Sequence, residues 1–346
     1  MRSRSRPPTL EHVAQVAGVS RATVSRVVNG VHSVDPELRR VVERAIADIG
    51  YVPNRAARSL VTRRADTIAL VVSEPEPPAG DRPFASAVLT DPFFGRVLAG
   101  MLPHLREQGA HPLLVHVDSA ASRDALRDRL RQHDIGGVAL VSIHPDDPLP
   151  ALLAEAAVPT VAWARPARPG SVSYVDVAHD RGARLAADHL VARGCRRVAT
   201  IAGPAWTPAG ADRLAGFRAA MAANGQPEVP SVEGAFTLET GERAMETLLA
   251  EHPEVDGVFA ANDLMAQGAL LVLREHGRRV PEDVAVIGFD DSSAALACRP
   301  PLTTVRQPVE DMAGEMVRLL LAHIEDPRRA ATSVVFEPSL VPRRSA

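Results

Sequence analysis

Residues 19–30 read VSRATVSRVVNG and gather side chains able to read a nucleic acid. Arg21 and Arg26 can pair bidentately with guanine edges, and Asn29 can pair with an adenine edge. The hydroxyls of Ser20, Thr23 and Ser25 suit phosphate oxygens, as do the amides at a helix start. On a helix, Val24, Val27 and Val28 fall on one side, while Arg21, Ala22, Ser25, Arg26 and Asn29 fall on the other. The valines can lock the helix onto a neighbour while the polar face reads a groove. A purely structural hairpin would have no need for Arg and Asn on its outer face.

No comparable concentration of catalytic chemistry occurs in the rest of the chain. The sequence holds no G-x-x-x-x-G-K-[ST], G-x-S-x-G, H-E-x-x-H or C-x-x-C pattern. His179, Asp180, Asp188 and His189 lie close in sequence, but Asp188 and His189 are adjacent on a helix and cannot share a face. That group is read as solvated surface. His104, His111, His116, His133 and His144 are scattered without ligand spacing. No metal, no cofactor and no enzymatic activity are expected.

The elements that must position the polar helix are legible. Thr9 is a candidate N-cap for a helix over 10–17 that Gly18 ends, and Ser20 caps a second over 21–29. Asp35 followed by Pro36 predicts a third helix running to Ile49 and stopped by Gly50. Two helices joined by the turn Gly18-Val19-Ser20 make a helix-turn-helix, whose second helix enters the major groove. Residues 51–65, YVPNRAARSLVTRRA, are basic with little apolar surface and read as a linker that folds on docking.

From residue 66 the pattern changes. Apolar strand candidates at 67–73, 112–117, 136–143, 159–164, 196–203, 256–262 and 283–291 alternate with amphipathic stretches. The helical candidates are 95–108, 122–133, 181–193, 212–223, 240–251 and 263–276. Continuously apolar strands spaced by helices predict parallel sheets covered on both faces. About ten strands exceed one typical sheet, so two doubly wound lobes are expected, with ligand beyond the carboxyl ends of the strands. Residues 74–90 form a long Pro-rich loop.

Composition agrees with this division. The 346 residues carry a net charge of −3, yet residues 1–65 hold twelve arginines against five acids, and the chain has no lysine. A basic head on an acidic body predicts polyanion binding by the head and a different task for the body. The N-terminal segment lacks the apolar core of a secretory signal, and no apolar run reaches the ~18–20 residues of a membrane helix. A cytoplasmic protein without membrane contact is expected. Cys195 and Cys298 are read as reduced thiols.

At this point a resemblance becomes specific. TLEHVAQVAGVSRATVSRVVNG, followed by VDPELRRVVERAIADIGYVPNRAARSL, resembles the DNA-binding headpiece and hinge of LacI/GalR-type bacterial transcriptional regulators. DPFFGRVLAGM, GARLAADHLVARGCRRVATIAG, DRLAGFRAAM, FAANDLMAQGAL, VPEDVAVIGFDD and PLTTVRQPVEDMA follow in the family's order, so the resemblance spans nearly the whole chain. It implies a small all-α helix-turn-helix headpiece over 1–50, a hinge over 51–65, and an effector-binding and dimerisation domain over 66–346. The last is α/β, two doubly wound parallel-sheet lobes of the periplasmic-binding-protein-like type I. Its N-lobe covers about 66–174 and 306–329, its C-lobe about 177–304 and 332–346. Crossover strands are expected near 174–177, 301–305 and 330–334.

The resemblance also implies roles. Thr9, Ser20, Arg21, Ala22, Thr23, Ser25, Arg26 and Asn29 match the DNA-contacting set, with Arg21 and Ala22 at the specificity positions. Asn54, Ala57 and Leu60 match the hinge, where an apolar Leu wedge opens the minor groove. Effector contacts map to Asp91, Phe94, Arg213, Phe236, Asn262 and Asp290. Trp206 is added as a further cleft candidate, because it and Trp163 are conspicuous in an aromatic-poor chain; core packing is the alternative for each. Carboxylates and Arg suit vicinal hydroxyls, and an aromatic suits a sugar's apolar face. There are departures: Leu38 stands where the family often has a phosphate-facing Thr, and Ala178-His179 where it often has Asp-Asn. Asp176 and Asp180 are possible substitutes there.

The expectation is therefore a repressor that binds a pseudo-palindromic operator as a homodimer, with its affinity set by a sugar or related metabolite. A transport solute-binding protein would need export. A sugar-using α/β enzyme fused to a DNA-binding domain would need a nucleophile or base.

Overall fold

The computed structural model describes residues 8–28, 34–51, 67–74, 92–132, 134–142, 144, 146–166 and 172–346. The chain divides into two compact units.

In the first, α1 (Leu10–Ala17), α2 (Arg21–Val28) and α3 (Pro36–Ile49) form where the caps predict them. The Thr9 hydroxyl accepts from the His12 amide, and Gly18 ends α1 at φ 65°. The Ser20 hydroxyl accepts from the Thr23 amide at 3.1 Å. Asp35 accepts from the amides of Glu37 and Leu38, and Gly50 closes α3 at φ 64°. Val13, Val24, Val27, Val42, Ala45 and Tyr51 form the core of this unit.

The second unit contains two six-stranded sheets. The first is built from β1 (Thr67–Ser73), β2 (His111–Val117), β3 (Gly137–Ser142), β4 (Thr160–Trp163), β5 (Ser173–Val177) and β11 (Ser333–Phe336), in the order β11-β5-β4-β3-β1-β2. All its pairings are parallel. Its helices are α4 (Pro92–Glu107), α5 (Ala120–Arg131), α6 (Leu149–Glu155) and α12 (Val309–Glu325). The second sheet contains β6 (Val198–Ala202), β7 (Ser231–Glu233), β8 (Gly257–Ala260), β9 (Ala285–Asp290), β10 (Thr303–Arg306) and β12 (Ser339–Val341), ordered β12-β10-β9-β8-β6-β7. Only β12 runs antiparallel to its neighbour. Here the helices are α7 (His179–Ala192), α8 (Pro208–Ala223), α9 (Leu238–Glu251), α10 (Asp263–Glu275) and α11 (Ser293–Ala297). Strands β4, β6, β8 and β9 are buried along their whole length, as strands covered on both faces must be.

The chain crosses between lobes after β5, after β10 and after β11. The last crossing corrects the sequence expectation, which placed residues from about 332 in the C-lobe. Ser333–Phe336 instead pair with β5, in register Ser333↔Tyr174 to Phe336↔Val177. Val334 and Phe336 pack on the first core. β11 and β12 are both short apolar runs separated by Glu337-Pro338, and their composition does not distinguish one sheet edge from the other.

Helices α9 and α10 approach so closely that a Cβ at Gly268 would lie 2.3 Å from the Leu238 carbonyl oxygen and 2.7 Å from the Glu242 amide nitrogen. Backbone cannot yield as a flexible side chain does. Gly268→Ala should therefore destabilise the protein by about 1–3 kcal/mol, as overpacking does. A thermal melt showing an unchanged midpoint would contradict this packing.

Candidate DNA-reading face and effector cleft

On α2, Val24 and Val27 are buried while Arg21, Ala22 and Arg26 are exposed and Thr23 and Ser25 half-buried. The apolar and polar sides thus separate as the 3.6-residue period requires. Arg21 Nε lies 3.0 Å from Glu11 on α1, in a pair open to solvent on both sides. The Ser20 and Thr23 hydroxyls are 2.9 Å apart at the helix start. Thr9 is exposed at the start of α1. Asn29, Asn54, Ala57 and Leu60 lie outside the described residues, as does Asp91 of the expected cleft.

The cleft candidates converge on the carboxyl ends of the second sheet. Asp290 ends β9, Asn262 follows β8, Phe236 follows β7, and Trp206 and Arg213 follow β6. Arg213 is only 4% exposed. Its guanidinium lies 3.7 Å from the centre of the Phe289 ring, with Phe236 at 5.9 Å. Nη1 donates to the Ala261 carbonyl, Nε donates to His179 Nδ1 at 3.2 Å, and Asp290 Oδ1 lies 3.6 Å away. A buried charge needs this much compensation.

Each neighbour is fixed in turn. Asn262 caps α10 by accepting from the Met265 amide, and its Nδ2 donates to the Phe236 carbonyl at 2.9 Å. It joins the end of β8 to the loop that carries Phe236. The Phe236 ring occupies space left by Gly203, where a Cβ would come within 2.5 Å of it. Asp290 Oδ1 accepts from Gln307 Nε2 at 2.5 Å, and its carbonyl accepts from Arg96 Nη1 at 2.7 Å. Arg96 of α4 also grips Glu310 of α12 bidentately, at 2.7 and 2.8 Å. Asp291 pairs with Arg306 and Arg343. Phe236, Asp290 and Asp291 have φ of 61°, 114° and 54°. These are strained values for residues with a Cβ, and such strain clusters at ligand sites.

The two lobes meet across this cleft. The ring centres of His144, beyond β3, and Trp206 are 4.9 Å apart, and Trp206 is 40% exposed. Arg165, beyond β4, binds Asp212 of α8 at 2.8 Å. Phe94 does not join the group. Because α4 begins at Pro92, positions 94, 97, 101 and 105 form its inner stripe, and Phe94 packs in the first core at 4% exposure. Its half-buried neighbour Phe93 meets the buried Trp163 edge-on at 5.2 Å. Trp163 is thus core, and Trp206 is the exposed tryptophan.

The sequence reading missed His179. It is buried rather than solvated, with Nε2 3.3 Å from Asp176 Oδ1. Burial, and then the Arg213 charge, push its pKa below the ordinary histidine value. The signal was present in the departure at Ala178-His179. Arg96 and Gln307, which brace Asp290, left no signal in their spacing. Among the described residues no group of His, Cys, Asp or Glu is arranged to hold a metal, and no helix is long and apolar enough to cross a membrane. Cys195 and Cys298 are free and buried.

Residues 9–54 match the family described as bacterial regulatory proteins, lacI family, and residues 187–346 match the periplasmic binding protein-like domain. The HTH-type transcriptional regulator CelR of Thermobifida fusca is 46% identical over 346 residues, 99% of each chain. The HTH-type transcriptional repressor PurR of Escherichia coli O139:H28 is 31% identical over 343 residues, covering 97% of this chain and 96% of that one. Among solved structures, a CelR–cellobiose complex aligns with a TM-score of 0.74 at 44% identity, over 98% of this chain and all of the other. A lac repressor dimer bound to operator and an anti-inducer aligns with a TM-score of 0.83 at 29% identity, over 98% of this chain and 99% of the other. A valine-locked helix with an exposed arginine face, two crossed-over parallel sheets and full-length relatives agree: the chain belongs to the LacI family of DNA-binding transcriptional regulators.

Proposed function

We propose that this regulator represses transcription by binding a pseudo-palindromic operator as a homodimer, and that a β-linked glucose disaccharide sets its operator affinity. Cellobiose, the ligand of the CelR complex, is the first candidate. The observation that carries the reading is the Arg213–Asp290 pair, held at the strand ends with Phe236 5.9 Å from Arg213, while Trp206 follows β6 exposed. A cation and a carboxylate at fixed separation suit vicinal hydroxyls, and an exposed indole suits the apolar face of a pyranose. Asn262 supports the site through Phe236. Phe94 supports it only as core, and Asp91 enters on the resemblance alone. A regulator of this kind works in the cytoplasm, and no enzymatic step is assigned to it.

On the DNA side, Arg21, Ala22 and Arg26 read bases from α2, with Asn29 completing the set and Ser25 joining the phosphate contacts. Thr9, Ser20 and Thr23 hold phosphates, and Asn54, Ala57 and Leu60 engage the minor groove. The experiment is selection of bound genomic fragments, followed by fluorescence anisotropy of a labelled operator with and without cellobiose. Arg26→Ala should cost about 1–3 kcal/mol in operator affinity, as one lost bidentate base contact does; unchanged affinity would remove α2 as the reading helix. Arg213→Ala should keep operator binding and lose the response to cellobiose. An Arg213→Ala protein that still responds would place the sugar elsewhere.

A further inference from the structure

The contacts of His179 are more constrained than packing requires. Asp176, on β5 of the first sheet, is 6% exposed, and its carboxylate accepts from the Val177 amide at 2.9 Å and the Arg165 amide at 3.1 Å. Burial pushes its pKa up, but hydrogen bonds from His179 and these amides, with the His179 charge interaction, bring it below the ordinary carboxylate value. It is an anion with only acceptors to offer. On the other side of the imidazole, Arg213 Nε has only a donor to offer. A neutral ring satisfies both neighbours in one way: Nε2–H donates to Asp176, and the Nδ1 lone pair accepts from Arg213. Asp176, His179 and Arg213 are each more than nine-tenths buried, so water cannot easily replace a lost partner.

We propose that His179 is the positioning residue for the effector-contacting guanidinium: as the Nε2–H tautomer it holds Arg213 over Phe289 and beside Asp290, and protonation at Nδ1 releases it. This rests on the reading of Arg213 as an effector contact. A proton on Nδ1 would point at the Arg213 N–H, setting donor against donor and cation against cation. The groups facing the ring are Asp176 from β5, Arg213 and the more distant Asp212 from α8, and the Phe289 ring from β9 at 5.9 Å. Asp176 and Asp212 favour the second proton; burial and Arg213 oppose it and prevail. The neutral form therefore persists below the ordinary histidine range. Ligand affinity is full at neutral pH and falls as the solution is acidified through the lowered pKa. The device also ties the first lobe to the second, because Asp176 belongs to one sheet and Arg213 to the other.

Two measurements on the full-length protein test this. The first needs no ligand. Nitrogen-15 NMR of histidine-labelled protein at neutral pH should show His179 protonated on Nε2 alone, with Nδ1 an acceptor. An Nδ1–H tautomer or an imidazolium would overturn the proposal. The second is calorimetric titration of cellobiose from about pH 8 to about pH 4.5, extending below the ordinary histidine range. Wild-type affinity should fall with acid. His179→Gln, an amide with donor and acceptor but no proton to take up, should bind near wild-type strength at neutral pH and show a flatter pH profile. His179→Leu should bind about tenfold or more weakly than wild type at neutral pH, the loss of a hydrogen bond to a charged group, and should not weaken further with acid. A His179→Gln profile that retraces wild type, or a His179→Leu protein that binds like wild type, would overturn the relay. If cellobiose fails to bind wild type at any pH, the sugar assignment fails, and the NMR tautomer alone decides the relay.

Discussion

A guanidinium withdrawn from water at the ends of a parallel sheet imposes demands on everything around it. Arg213 can occupy that position only because the Ala261 carbonyl, the Asp290 carboxylate, the Phe289 ring and the His179 nitrogen surround it. Those groups come from two strand ends and one helix start, and their side chains are braced in turn. Gln307 and Arg96 hold Asp290, Asn262 holds Phe236, and Asp176 holds His179. Several of the braces belong to the other lobe or to the segments that cross between lobes. A ligand that competes for Arg213 or Asp290 therefore acts on contacts that set how the two lobes meet.

The headpiece follows the opposite logic. The arginines of α2 are left exposed, and burial is reserved for Val13, Val24, Val27, Val42, Ala45 and Tyr51. An exposed Arg loses little by waiting for a phosphate or a guanine edge, and a small apolar core keeps the reading helix straight and correctly turned. The same residue type thus serves two physical ends: in solvent on α2 as a transferable charge, and in the cleft as a fixed one.

Much of this was legible in the sequence because local signals agreed with the fold. Thr9, Ser20 and Asp35 announced three helix starts, and Gly18 and Gly50 two stops. Strands such as Val198–Ala202 and Ala285–Asp290 were apolar throughout because both of their faces are covered. What was hidden depends on long-range pairing. Ser333–Phe336 and Ser339–Val341 have similar composition, and only the β5 and β10 edges decide where each goes. Whether Phe93 or Phe94 faced inward depended on where α4 began, a matter of one residue. His179 looked solvated because Asp188 and His189 suggested a surface helix, whereas its environment comes from Asp176 and Arg213, three and thirty-four residues away.

Coupling between sugar and operator is reciprocal: whatever factor the sugar applies to operator affinity, the operator applies to sugar affinity. The most direct measurement is calorimetric titration of cellobiose into the free regulator and into the regulator saturated with its operator, at one ionic strength. This account predicts two different dissociation constants, whose ratio equals the change in operator affinity seen when sugar is added. Equal constants in the two titrations would contradict it, since a ligand indifferent to the DNA-bound state cannot control that state.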